Sequence, residues 1–204
     1  AHLRGGPATV PVEEFDRLAA FFPPPAYEAL PREDAAFRAA IADNRAFENW
    51  AKRNVHPHKV AGYAIVTLSL KKTGIPPGDV TSDQMDSIAG LADRYSFGQL
   101  RSTHTQNLIL ADVRNADLHA LWQALDALGL ATPNIGTIAD IICCPGLDFC
   151  SLANARSIPI AAQINARFAS SWARYIKGKI GAGRVTALAI TDGDVTVTYT
   201  IGSK

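Results

Sequence analysis

From Tyr63 to Leu70 the chain reads Tyr-Ala-Ile-Val-Thr-Leu-Ser-Leu, a β-branched apolar run with the texture of a strand. Thr73-Gly74-Ile75-Pro76-Pro77-Gly78-Asp79 follows as a loop. Thr81 stands where an N-cap belongs, ahead of Met85, Ile88, Ala89, Leu91 and Ala92, whose recurrence predicts a helix. Gln99 to Val113 reads as extended chain, either one long strand or two strands with a bend near Thr105. Between Ala116 and Leu128, Leu118, Leu121, Trp122, Leu125 and Leu128 share one side of a helix, with Gly129 as its stop. The order strand-helix-strand-strand-helix predicts an α+β sandwich with helices on one face of the sheet. Asp140 to Cys144 is a candidate for the last edge of that sheet.

The flanks are less regular. Gly5-Gly6-Pro7 and Pro23-Pro24-Pro25 break any long helix in residues 1–31, leaving Val12 to Phe22 as a short helix or strand. Arg32 to Arg53 reads as helical on Phe37, Ile41, Phe47 and Trp50, and ends at Asn54-Val55-His56-Pro57-His58, because a residue before proline avoids helical backbone. Lys71-Lys72 reads as a solvated strand end, and Ser151 to Phe168 as helical apart from an interruption at Pro159. Lys177 to Gly183 reads as a flexible basic loop. Val185 to Ile190 and Val195 to Ile201 alternate around Asp192-Gly193, a β-hairpin signal. The resulting division is 1–53, 54–133 and 134–204.

Composition narrows the classes. Of 204 residues, 48% are hydrophobic and 19% charged, with a net charge of +1, so the chain is of globular type and carries no electrostatic case for nucleic acid or an anionic membrane. No apolar run approaches the roughly 20 residues that span a bilayer. The first twenty residues hold Arg4, Glu13, Glu14, Asp16 and Arg17, so no signal peptide is visible. The three cysteines are clustered, unlike a secreted disulfide framework, which points to a reducing, cytoplasmic setting.

All three lie in Ile142-Cys143-Cys144-Pro145-Gly146-Leu147-Asp148-Phe149-Cys150. Cys144 and Cys150 form a C-x5-C pair, and soft thiolates suit zinc, copper(I) or iron–sulfur clusters. A Pro-Gly bend would turn the backbone tightly and aim N–H groups at sulfur. Cys143 and Cys144 are adjacent, so on extended backbone they face opposite ways, which sends Cys143 to the core. A buried small hydrophobe or a Cys144–Cys150 disulfide are the other readings of the same spacing. His56 and His58 around Pro57 read as stiffening a loop.

The segment from Cys144 to Ala153 resembles the first cluster motif of the sirohaem-dependent nitrite and sulfite reductases. Leu100-Arg101-Ser102-Thr103-His104-Thr105-Gln106-Asn107-Leu108 resembles that family's R-x-T-x-x-Q-N-L motif. Phe47-Glu48-Asn49-Trp50, with Asn54 to Lys59 and Gly62-Tyr63, is similar to the linker and first strand of the second half of a sulfite reductase haemoprotein. The resemblance runs from about Val10 to Phe168 in one order. It implies a ferredoxin-like antiparallel sheet with helices on one face, followed by part of the cofactor-binding α/β domain and a C-terminal β-hairpin. It also implies sirohaem, a 4Fe-4S cluster, sulfite or nitrite as substrate, and an electron-donor protein or flavoprotein as partner. Cys144 and Cys150 would be cluster ligands. Arg101, Thr103, Thr105, Gln106 and Asn107 would face the sirohaem, whose carboxylates suit a row of guanidinium, hydroxyl and amide donors.

One departure matters. The family draws its other two cluster cysteines from a later C-x3-C motif, whereas no cysteine follows Cys150 and Ile176 to Arg184 has neither thiol. Two ligands do not close a cubane that takes four, so the chain alone is expected not to reduce sulfite. Four readings stay open: a truncated or rearranged fragment, a subunit completed by a second chain that supplies the missing ligands, a relative without the cofactors, and a cofactor-free scaffold or interaction module.

Overall fold

The computed structural model describes residues 6, 9–169, 184–191 and 194–200. The basic loop at 177–183 and the Asp192-Gly193 turn lie outside the described residues. Two compact units are separated, 1–30 and 31–204. In the first, helix α1 (Val12–Ala19) settles the Val12 to Phe22 segment as helix, with Arg17 Nη2 2.7 Å from Glu14 Oε1 one turn away.

The second unit opens with α2 (Ala35–Asp43) and α3 (Arg45–Asn54), not with one helix from Arg32 to Arg53. Asn44 divides them. Its backbone is extended, and its side-chain oxygen accepts from Ala46 N at 3.0 Å and Phe47 N at 3.1 Å. An asparagine that satisfies the free N–H groups of a new helix starts one more readily than it continues one. The chain past Asn54 then forms a strand, β1 (Val55–Pro57), where sequence showed only a helix end. Proline is tolerated there because β1 is an edge.

A four-stranded antiparallel sheet follows, in the order β1-β2-β4-β3, with β2 (Tyr63–Leu68), β3 (Arg101–Ser102) and β4 (Leu108–Arg114). Helix α4 (Ser82–Tyr95) links β2 to β3, and α5 (Leu118–Ala127) follows β4. Thr81 caps α4 with a reciprocal box: Gln84 N donates to Thr81 Oγ1 at 3.2 Å, and Thr81 N donates to Gln84 Oε1 at 3.0 Å. The amide of Gln84 also donates to Leu128 O at 2.9 Å, tying the start of α4 to the end of α5. Gly129 ends α5, with Leu130 N on Leu125 O at 2.8 Å and Gly129 N on Asp126 O at 2.9 Å, a Schellman closure.

One core joins these elements. Phe47 and Trp50 of α3, Val66 and Leu68 of β2, Ile88 of α4, Leu110 and Val113 of β4, and Leu118, Leu121 and Leu125 of α5 are all fully buried. Each such side chain is worth roughly 1.5–3 kcal/mol of transfer energy. Phe47 is the hub, edge-on to Phe37 at 5.8 Å and tilted against Trp122 at 5.5 Å. Helices on one face of an antiparallel sheet are the α+β arrangement the pattern predicted.

Two other expectations change. Asp140 to Cys144 is not a strand and adds no edge to the sheet. Helix α6 (Ile158–Ala169) starts only at Ile158, so Ser151 to Ser157 is not helical, and Pro159 sits in its first turn without interrupting it. First-turn N–H groups have no partner within the helix, so proline removes nothing there. The two terminal strands pair as expected: β5 (Arg184–Thr191) runs antiparallel to β6 (Asp194–Thr200).

Candidate functional site

The long extended segment resolves into a hairpin, with β3 and β4 joined by a turn at 103–107. Thr103 closes it. Its N–H donates to Asn107 O at 2.9 Å, and its hydroxyl accepts from Asn107 N at 3.0 Å. The Thr103 and Thr105 hydroxyls lie 2.9 Å apart. Gln106 takes a left-handed backbone, with φ of 56°. The bend near Thr105 is therefore real, and residues 101–107 do not form a continuous ribbon with one donor face.

The turn turns inward as well as outward. Asn107 is 2% exposed; its oxygen accepts from Leu70 N at 3.2 Å and its amide donates to Asp140 Oδ1 at 3.1 Å. Lys71 reaches the same place. Its ammonium donates to Asp140 Oδ1 at 2.6 Å and to the Thr105 carbonyl, and its side chain is out of solvent. This corrects the reading of Lys71 as a solvated strand end. A buried ammonium requires a counter-charge and further acceptors, and Asp140 and Thr105 supply them. Asp140 Oδ2 also accepts from Gly136 N at 2.9 Å, so one carboxylate gathers the turn, the end of β2 and the 134–140 loop.

Three residues on, Gln106 grips Cys143. Its Nε2 donates to Cys143 O at 2.7 Å, and Cys143 N donates to its Oε1 at 2.8 Å. Cys143 is 6% exposed, and burial pushes its thiol up, aided by the neighbouring Cys144. Cys144 faces solvent and Cys150 is half-buried, and all three thiols are free. The adjacent cysteines thus differ in burial, one inside and one outside, as expected of them, without a strand to alternate them.

Between Cys144 and Cys150 the chain bends tightly. Gly146 has φ of +60°, and a Cβ on it would lie 2.6 Å from Ala155 O. Cys150 N donates to Gly146 O at 2.8 Å, and Leu147 N donates to Ala155 O at 3.0 Å. The bend is therefore packed against the segment that enters α6. An open cleft of about 530 Å³ lies beside it, lined by Gln106, Asn107, Cys143, Pro145 and Phe149. Arg101 is exposed at the near edge of the sheet, its guanidinium donating to Gln99 Oε1 at 2.9 Å. Phe149 and Leu152, which flank Cys150 in sequence, are 76% and 89% exposed.

The donor set fits half of a thiolate cluster. Cys144 and Cys150 are an exposed and a half-buried thiol on a constrained loop, but among the described residues no three of His, Cys, Asp and Glu gather as a metal site. His58 does not join them: its Nε2 is 3.3 Å from Asp112 Oδ1, with both side chains buried at the sheet.

The family described as the Nitrite/Sulfite reductase ferredoxin-like half domain matches residues 61–128, the stretch that holds β2, α4, β3, β4 and α5. Over residues 61–128 the chain carries a nitrite/sulfite reductase ferredoxin-like half domain. Chloroplastic ferredoxin–nitrite reductase of Betula pendula is 32% identical over 132 residues, covering 60% of this chain and 21% of that protein. Ferredoxin–nitrite reductase of Synechococcus elongatus is 32% identical over 126 residues, covering 58% of this chain and 23% of that one. Sulfite reductase [ferredoxin] of Mycobacterium tuberculosis is 30% identical over 104 residues, covering 50% and 19%. The chain thus spans about a fifth of the length of these relatives. The reductase half domain ends at residue 128, so all three cysteines lie beyond it. Among the described residues, no helix is long and apolar enough to cross a membrane.

Sequence reasoning missed Lys71 and Asp140 as the residues that hold the site together. A paired Lys71-Lys72 at a strand end carries no local sign of burial, and the acid it meets is 69 residues away.

Proposed function

We propose that this chain is part of an assimilatory nitrite or sulfite reductase haemoprotein, in which Cys144 and Cys150 supply two thiolate ligands to a 4Fe-4S cluster. The observation that carries the reading is a pair of free thiols, Cys144 exposed and Cys150 half-buried, on a Gly146 bend that follows a nitrite/sulfite reductase half domain. In this reading Arg101, exposed at the sheet edge, meets a carboxylate of sirohaem, and Thr103, Thr105, Gln106 and Asn107 hold the turn beside it. When bound, sirohaem and cluster supply multielectron reduction of nitrite or sulfite; the protein's part is to hold and orient them. In this reading the two remaining thiolates lie outside these 204 residues. The names of the relatives support a ferredoxin-type protein as the electron donor.

The test is anaerobic expression with iron and sirohaem supply, alone and with a polypeptide carrying a C-x3-C pair. Iron content and visible absorption are then measured. The reading expects iron to be retained in the paired preparation and lost in Cys144→Ser/Cys150→Ser. Equal iron in that double variant would sink it. A colourless, iron-free and stably folded protein under both conditions favours instead a cofactor-free scaffold, a reading supported by the incomplete ligand set among the described residues.

A further inference from the structure

We infer that Gln106 is a positioning residue for the cysteine loop: its side-chain amide sets where the Cys144 and Cys150 thiols stand by holding the backbone of Cys143. The consequence for iron rests on the ligand-pair reading above; the bracket itself does not.

The amide closes a ring with one residue of the loop. It donates to Cys143 O at 2.7 Å and accepts from Cys143 N at 2.8 Å, across a separation of 37 residues. That is the exchange a neighbouring strand would make, carried out here by a side chain of the turn. With both polar groups of Cys143 taken, the chain cannot rotate there freely. Cys143 is kept inside, and Cys144, the next residue, is kept outside.

The bracket is built to be stiff. Gln106 takes φ of 56°, a region that non-glycine residues seldom enter, and its N–H is held by Thr103 O at 3.2 Å. Gly78 leaves the space it needs, since a Cβ at that position would sit 3.1 Å from Gln106 Cβ. A second fixing point lies three residues before Cys143, where Asp140 takes hydrogen bonds from Lys71 and Asn107. Gln106 and Asn107 are consecutive, so one turn fastens the approach to the cysteine loop twice.

The full chain, reduced, metal-free and kept under argon, provides the first test. Exchange protection of the Cys143 amide is measured by NMR in wild type, Gln106→Ala, Gln106→Gly and Gln106→Glu. Protection is expected to fall roughly tenfold or more in the alanine and glycine variants alike, while β2 and β4 amides keep theirs. The glycine variant removes backbone strain, so an equal loss there assigns the effect to the side-chain amide. In Gln106→Glu a carboxylate accepts from Cys143 N but cannot donate to Cys143 O. A protonated acid can do both, so protection is expected to return as pH is lowered from 7 towards 4, a recovery that a packing role would not produce. Should the alanine variant fail to fold, Gln106→Glu carries the test on its own. Unchanged protection in the alanine variant, or no pH response in the glutamate variant, overturns the bracket. Anaerobic addition of ferrous iron and sulfide, with the C-x3-C polypeptide present, separates the two claims. Wild type without iron removes the ligand-pair reading and leaves the bracket to the exchange data. Equal iron and an identical spectrum in wild type and Gln106→Ala remove the positioning role.

Discussion

The ammonium of Lys71 lies 2.6 Å from Asp140 Oδ1, 69 positions along the chain, with the lysine side chain fully out of solvent. Through this contact the end of β2 is joined to the segment that leads into the cysteines. Asp140→Ala would leave the ammonium buried beside carbonyl and amide groups only, at a cost of about 3 kcal/mol. Urea unfolding of the single variants and of a Lys71→Met/Asp140→Ala double checks this. The expected result is a double variant less destabilised than the sum of its parts.

The same pair imposes a pH dependence. Burial alone pushes the Asp140 carboxylate up, but hydrogen bonds from Lys71, the Gly136 N–H and Asn107, with the lysine's charge, outweigh it and hold it below the ordinary aspartate value. A carboxylate that is more acidic folded than unfolded contributes fully above its unfolded pKa and loses that contribution as pH falls through the folded one. The stability difference between wild type and Asp140→Asn is expected to stay constant from pH 7 to about pH 5 and to shrink below about pH 4. Urea midpoints across that range measure it.

The thiols should react in a fixed order. Cys144 is exposed, Cys150 half-buried, and Cys143 buried with its thiol pushed up by that burial. Iodoacetamide at pH 8, followed by peptide mass spectrometry, is expected to modify Cys144 first and Cys143 last. Early labelling of Cys143 would contradict the bracketed geometry.

Gly146 tolerates no side chain. Alanine there meets both a left-handed φ and a Cβ 2.6 Å from Ala155 O. Gly146→Ala is expected to cost about 2 kcal/mol locally and to disturb the Cys144–Cys150 loop while sparing the half domain. The check pairs circular dichroism, expected unchanged, with faster alkylation of Cys150.

His58 links the loop before β2 to Asp112 of β4. Val60 N donates to its Nδ1 at 2.9 Å, which places the proton of the neutral ring on Nε2, 3.3 Å from Asp112 Oδ1. Truncation by His58→Ala is expected to destabilise by about 2 kcal/mol. Glutamine, which keeps a donor, should lose less; equal losses in urea would show that the contact is packing and not a hydrogen bond.

Much of the fold could be read along the chain because its causes are local. The β2 run, the Thr81 cap, the leucine stripe of α5 and the Gly129 stop each depend on neighbours within a few residues. Adjacent Cys143 and Cys144 were expected on opposite sides, and one is buried and the other exposed, although the segment that carries them is not a strand. The division of one expected helix at Asn44, the hairpin at 103–107, and the absence of a strand at 140–144 were decided by competition between local options that tertiary packing resolved. For the candidate site, the thiols and the turn residues stood out by type and spacing. Their connection did not: nothing near Lys71 names Asp140, and nothing near Gln106 names Cys143, because a hydrogen-bond partner 37 or 69 residues away is selected only when the backbone between them has folded.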